Sequence, residues 1–350
     1  MNSKQYPFIS VFSDCDTFGE KPFYESINGY RPQKKKSKSI LKNPHSIYEY
    51  LLSKVYDQND YARDASMIIY SHVIKEIPSV NFVAGPPGCG KTYLWQCLAE
   101  LYNNIIIVDA SDLTKDGWTG GHKVTDFITE VNPLDPNAIV VFDEADKMFA
   151  PLYSHESNTS FSLQSEFLKL IEGKILKKTV DKTMVTVNTS KMSFVFCGSF
   201  AQQAEKISKN NSSSGIGFGA QRTLEKPYAK ELTFEDLKNH GVIPELLSRA
   251  TRLINLHPLE LDDYVFLLTK FGNSPLHQIE SKYHQKLNIT TEQLTKLAKQ
   301  AYESGLGIRQ CGKKLQALMD EQIFQSFSTP SKIEIEPTEA DDEDIPFLTP

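Results

Sequence analysis

The chain has 350 residues, 40% of them hydrophobic and 23% charged, with a formal net charge of -6. That length and balance fit a globular protein of one large or two ordinary domains, whose core needs no staples. The negative charge argues against a protein that coats nucleic acid. No apolar run reaches membrane-spanning length, and the first residues do not read as a signal peptide. The cysteines (Cys15, Cys89, Cys97, Cys197, Cys311) form no C-x-x-C pair, so neither a disulfide frame nor a zinc site is expected, and a reducing cytoplasm is the expected setting.

Residues 1–43 mix aromatic and polar residues and end in Arg31-Pro32-Gln33-Lys34-Lys35-Lys36-Ser37-Lys38. They read as a flexible arm with a basic linker. Apolar residues then recur at helical spacing, first Ile47, Leu51 and Val55, then Ala65, Ile68, Ile69 and Val73, which predicts two helices. From there to residue 255 strand and helix signals alternate, predicting an α/β domain over 44–255 with a parallel sheet covered by helices. The runs Ile105-Ile106-Ile107-Val108 and Ile139-Val140-Val141-Phe142 suit strands buried on both faces. Beyond His257-Pro258 the pattern turns helical, at 264–271, 278–287, 291–304 and 310–327. Residues 256–333 therefore read as a small helical domain. The tail 334–350, with Glu339, Asp341, Asp342, Glu343 and Asp344, reads as disordered.

The most specific motif is Gly85-Pro86-Pro87-Gly88-Cys89-Gly90-Lys91-Thr92, which fits G-x-x-x-x-G-K-[ST] between a predicted strand and a predicted helix. Gly85, Gly88 and Gly90 let the backbone curl so that successive N–H groups face phosphates, and the helix N-terminus adds its dipole. Lys91 brings a point charge to the outer phosphates, and Thr92 offers a hydroxyl to Mg²⁺. The chain is thus expected to bind a nucleotide. Some fifty residues on, a hydrophobic strand ends in Asp143-Glu144. In a phosphate-loop fold that strand is expected beside the loop-bearing one, with Asp143 holding Mg²⁺ and Glu144 polarising the attacking water.

Asp143-Glu144-Ala145-Asp146-Lys147 resembles the D-E-x-D-K segment of AAA+ ATPases, particularly of their ClpX branch. The resemblance runs from about residue 44 to 328. It implies a five-stranded parallel sheet between helices, followed by a small helical domain, with ATP and Mg²⁺ as ligands. Val55-Tyr56-Asp57-Gln58 resembles the box that flanks the adenine, with Tyr56 and Asp57 departing from its pattern. Asp109-Ala110-Ser111-Asp112-Leu113-Thr114, Leu170-Ile171-Glu172-Gly173 and Asn188-Thr189-Ser190-Lys191 match further family words. Ile243-Pro244-Glu245-Leu246-Leu247-Ser248-Arg249 is similar to the segment whose arginine reaches the γ-phosphate held by a neighbouring subunit. Gly307-Ile308-Arg309 resembles the sensor of the small domain, and Ser199 sits where a polar sensor would feel the γ-phosphate.

Two loops bear on what turnover drives. Gly117-Trp118-Thr119-Gly120 stands where the family has its aromatic pore loop, and a large flat side chain between glycines grips extended polypeptide without demanding sequence. Ile216-Gly217-Phe218, after Asn210-Asn211-Ser212-Ser213-Ser214, is similar to the loop that engages a ClpP-like peptidase ring, and apolar residues on a polar tether suit a partner pocket. The cysteine-rich zinc domain of the branch is absent. Its basic pore-entrance loop is missing too, although Lys174, Lys177, Lys178 and Lys182 keep residues 173–187 positive. The resemblance implies a homohexameric protein unfoldase that feeds a ClpP-like peptidase, with proteins as substrates and no zinc. The alternatives are a remodeller of a specific complex without proteolysis and a DNA-acting motor. The net negative charge and the aromatic in place of Lys or Arg argue against the DNA motor.

Overall fold

The computed structural model describes residues 42–114, 122–131, 137–151, 153–154, 157–180, 183–211, 227–305 and 307–327. Helix α1 (Pro44–Lys54) starts where the Asn43 side chain accepts from His45 N and Pro44 takes a first-turn position. Helix α2 (Asn59–Lys75) precedes β1 (Val80–Ala84), and α3 (Lys91–Leu101) leads to β2 (Ile105–Asp109). The short pair β3 (Leu113–Thr114) and β4 (His122–Lys123) comes before β5 (Ile139–Asp143) and α4 (Ala145–Phe149). A two-residue ladder, β6 (Tyr153–Ser154) with β7 (Ser157–Asn158), introduces α5 (Thr159–Ile171). The antiparallel hairpin β8 (Ile175–Val180) and β9 (Thr183–Asn188) follows. Then come β10 (Ser193–Gly198), α6 (Ala201–Asn211), α7 (Phe234–His240), α8 (Pro244–Leu247) and β11 (Arg252–Asn255).

The main sheet runs β11-β1-β10-β5-β2, with every neighbouring pair parallel. Alternate residues of each strand face opposite sides, and both sides are buried. Phe82, Val140, Phe142, Phe194 and Phe196 enter one core with Phe149 and Phe167. Val83, Ile139, Val141, Val195 and Cys197 enter the other, against Leu51, Ile68, Leu94 and Trp95 of α1, α2 and α3. The five-stranded parallel sheet between helices is therefore present as expected. One neighbour differs: β10 lies between the loop-bearing β1 and the acid-bearing β5. The two strands expected side by side still end at the same edge, because all five run in one direction.

Helices α9 (Leu261–Thr269), α10 (Pro275–Tyr283), α11 (Thr291–Ser304) and α12 (Arg309–Phe327) enclose a separate core of Tyr264, Leu268, Leu294, Leu297, Cys311, Leu315 and Met319. The helix predicted over 278–287 lies earlier. Ser274 caps it by accepting from His277 N with Pro275 at its first turn, and His284 ends it in the left-handed region at φ 51°.

Candidate nucleotide site

The loop after β1 carries backbone that an L side chain rarely adopts. Gly88 has φ 77° and Gly90, which caps α3, has φ 96°. Gly88 also meets the chain just before α12, where a Cβ would stand 2.8 Å from Gly307 Cα. Lys91 Nζ donates to the carbonyls of Gly85 at 2.7 Å and Pro86 at 2.8 Å. The same Pro86 carbonyl accepts from Cys89 Sγ at 2.9 Å. Burial raises the Cys89 thiol pKa, with the Lys91 charge opposing in part, so Cys89 stays a neutral thiol. Tyr61 of α2 donates its hydroxyl to the Lys91 carbonyl at 2.6 Å and so ties the first turn of α3 to the helix layer beneath it.

Across β10, the acid strand reaches the same point. Thr92 Oγ1 donates to Asp143 Oδ1 at 2.6 Å, and Glu144 N donates to that oxygen at 3.0 Å. A hydroxyl and a carboxylate converging at the end of an anion-binding helix are the oxygen donors a hard divalent cation takes. Glu144 has φ 55°, left-handed for a non-glycine residue, and its carboxylate pairs with Lys147 one turn into α4. Asp146 faces back to β10, accepting from Ser199 Oγ at 2.7 Å and from Phe200 N at 3.2 Å. The Ser199 hydroxyl is thus engaged with α4.

Residues 82–206, which hold the loop, Asp143 and Glu144, match the ATPase family associated with various cellular activities (AAA). Similarity to curated proteins extends further. The chain is 27% identical over 319 residues to the ATP-dependent Clp protease ATP-binding subunit ClpX of Porphyromonas gingivalis, covering 81% of this chain and 78% of that one. Against the subunit of the same name from Bacteroides thetaiotaomicron it is 26% identical over 354 residues, covering 90% and 85%. The Bacteroides fragilis subunit gives 27% over 321 residues, covering 81% and 77%. The chain thus carries an AAA ATPase segment and is similar to ClpX over most of its length.

Within this ATPase the remaining sequence-predicted positions fall in different places. Val55 is buried beside the loop, 3.8 Å from where a Cβ of Gly90 would stand. Tyr56 stacks on Phe266 of α9 at 4.7 Å and meets Phe271 edge-on at 5.9 Å. It joins the large domain's entry segment to the helical core. Arg309 opens α12, two residues beyond the glycine that touches Gly88. Arg249 follows α8 and pairs with Glu172 Oε1 at 2.9 Å, at the end of α5. Gly117, Trp118, Thr119 and Gly120, and Ile216, Gly217 and Phe218, lie outside the described residues.

Several contacts were not anticipated. Asp146 is readable in the Asp143-Glu144-Ala145-Asp146 quartet, although its partners are not. Tyr93 of α3 receives hydrogen bonds from Asn273 Nδ2 at 2.7 Å and Gln278 Nε2 at 3.3 Å, a polar link from the phosphate-loop helix to the helical core. Gln164 and His240 have no motif around them and are visible only through their partners. No helix among the described residues is long and apolar enough to cross a membrane.

Proposed function

We propose that this chain is an ATP-driven protein unfoldase that works as a homohexameric ring and delivers polypeptide to a ClpP-like peptidase. The observation that carries the reading is the reach of the similarity. It spans 81% of the chain and 78% of a Clp protease ATP-binding subunit, well beyond the AAA segment at 82–206. The AAA segment alone would fit any motor of the class.

In this reading the loop 85–90 and Lys91 hold the phosphates of ATP, with Val55 and Tyr56 on the adenine side. Thr92 and Asp143 hold Mg²⁺, which neutralises phosphate charge when bound. Glu144 accepts a proton from the water it orients. Arg249 of one copy supplies fixed positive charge to the site of the next. Arg309 and Ser199 read the phosphates from the helical domain and from β10. The aromatic at Trp118 grips substrate in the pore, and Ile216, Gly217 and Phe218 dock the peptidase.

The test is a purified assembly with ATP and a tagged fluorescent protein, with and without a ClpP-type peptidase. The expectation is loss of fluorescence that needs ATP, degradation only with peptidase present, and loss of both in Trp118→Ala while ATPase activity persists. Undiminished unfolding by Trp118→Ala would remove the pore grip. Unfolding without degradation, unaffected by Phe218→Ala, would favour a remodeller that works without a peptidase.

A further inference from the structure

We propose that His240 is a positioning residue that couples the chain's own acid strand to the arginine it presents to a neighbour, an inference that rests on Arg249 acting across the subunit boundary. His240 ends α7 and is 7% exposed. Its Nε2 lies 2.8 Å from the Asp146 carbonyl oxygen. A carbonyl only accepts, so Nε2 carries the proton. In the neutral ring Nδ1 is then a bare acceptor, and it is buried with no hydrogen-bond partner among the described residues. Leaving a buried acceptor unpaired opposes stability, so burial economy does not account for a histidine here.

Asp146 is the junction. Its carboxylate takes Ser199 and Phe200 at the end of β10, its carbonyl takes His240, and it lies two residues past Glu144. The Phe200 ring meets the His240 ring edge-on at 5.1 Å. On the far side of His240 the path to the arginine is short and rigid. A Cβ on Gly241 would stand 2.4 Å from the Phe149 carbonyl oxygen, so the chain here rests directly on the end of α4. Buried Gln164 of α5 clamps the next residues, donating to the Gly241 carbonyl at 2.9 Å and accepting from Ile243 N at 2.8 Å. Pro244 then opens α8, and Arg249 follows two residues after it ends, held by Glu172 of the same α5. A shift of α4 as Glu144 and Asp146 respond to the phosphates therefore moves the backbone that aims Arg249.

The experiment dopes wild-type assemblies with Glu144→Gln subunits, which present their arginine without turning over. With the dopant in about fivefold excess, so that most wild-type sites take their arginine from a dopant, Glu144→Gln/His240→Phe is expected to lower turnover per wild-type subunit at least about threefold below Glu144→Gln alone. Glu144→Gln/His240→Gln, whose longer amide can reach the Asp146 carbonyl, should restore it. ATP-analogue affinity of the dopants should agree within about twofold, a readout that general loosening of the fold would not preserve. Should His240→Phe fail to fold, His240→Asn replaces it, being polar but too short to reach Asp146. Equal turnover with and without the His240 change overturns the coupling. A Glu144→Gln/Arg249→Ala dopant separates the two claims: if it also leaves turnover unchanged, Arg249 is not the shared residue and the underlying reading falls with it.

Discussion

Replacing Gly307 with alanine tests whether the contact between the phosphate loop and the helical domain governs nucleotide binding. Gly307 has φ 77°, and its added Cβ would stand 2.9 Å from Gly88 Cα and 3.3 Å from the Pro87 carbonyl oxygen. The left-handed backbone alone costs an alanine about 1–2 kcal/mol. The contact adds more, because carbons prefer roughly 3.5–4.0 Å and both facing atoms are backbone that cannot rotate away. Overpacking of this kind costs about 1–3 kcal/mol. Gly305 is the control, since it has φ 66° and nothing within 4 Å of its Cβ, so Gly305→Ala bears the backbone cost only. The difference between the variants isolates the close approach, a factor of roughly 5 to 160 in the equilibrium of closure. Strain at Gly307 is relieved by moving the start of α12, with Arg309, off the loop. Steady-state ATPase assays should therefore show KM for ATP raised at least about fivefold in Gly307→Ala and within twofold in Gly305→Ala. Equal KM in both variants would refute the argument.

Three further outcomes are expected. Glu144→Gln should cut ATP turnover by about 10²–10⁴-fold while a fluorescent ATP analogue binds within a few-fold of the parent; near-parental turnover removes Glu144 as base. Gly312 lies inside α12 with nothing within 4 Å of an added Cβ, so Gly312→Ala should stabilise the protein by about 0.5–1 kcal/mol in urea titration, and a loss would show that the helix is not formed there. Burial pushes the Cys97 and Cys311 thiols from the ordinary 9.0 up to about 11. The folded state therefore holds those protons longer than the unfolded chain, and their contribution is intact below pH 9 and lost as pH rises from 9 through 11. Urea midpoints should fall across that window, less steeply in Cys97→Ala; equal slopes would discount the thiol.

The phosphate loop and the two acids were legible because chemistry dictates both residue type and spacing there, whatever the surrounding fold. Strand order was not. Nothing local in Ile139-Val140-Val141-Phe142 says that β10, fifty residues later, inserts between it and β1. Tyr56 shows the same limit. Nothing beside it in the chain names its partner, and its ring stacks on Phe266, 210 positions further along. The start of α10 was missed for a local reason that could have been read, since Ser274-Pro275 is a cap followed by a first-turn proline. His240 and Gln164 carried no signal at all, because a lone polar residue announces its partner only once the fold brings that partner near.

The bonds around the site fall into two kinds, and the difference bears on how such a motor can cycle. Lys91 is satisfied by two loop carbonyls, Thr92 by Asp143, Glu144 by Lys147, and Arg249 by Glu172. In the proposed cycle each partner would be exchanged for a phosphate, a cation or a neighbouring copy. Two of these are surface ion pairs, with side-chain exposures of 60% and 46% for Lys147 and Glu144 and 52% and 51% for Arg249 and Glu172. Pairs so open to water contribute about 0–1 kcal/mol, little against the energy of a nucleotide cycle. The bonds behind them are made by buried side chains: Gln164 to Gly241 and Ile243, His240 to Asp146, Thr189 to the carbonyls of Leu170 and Lys174. Breaking one of those strands a polar group away from water, at about 1–3 kcal/mol. Charged groups that swap partners cheaply thus sit on a frame that resists local rearrangement. A change of partner at the phosphates is then passed on as movement of whole elements, α4 and α8 among them, rather than absorbed where it begins.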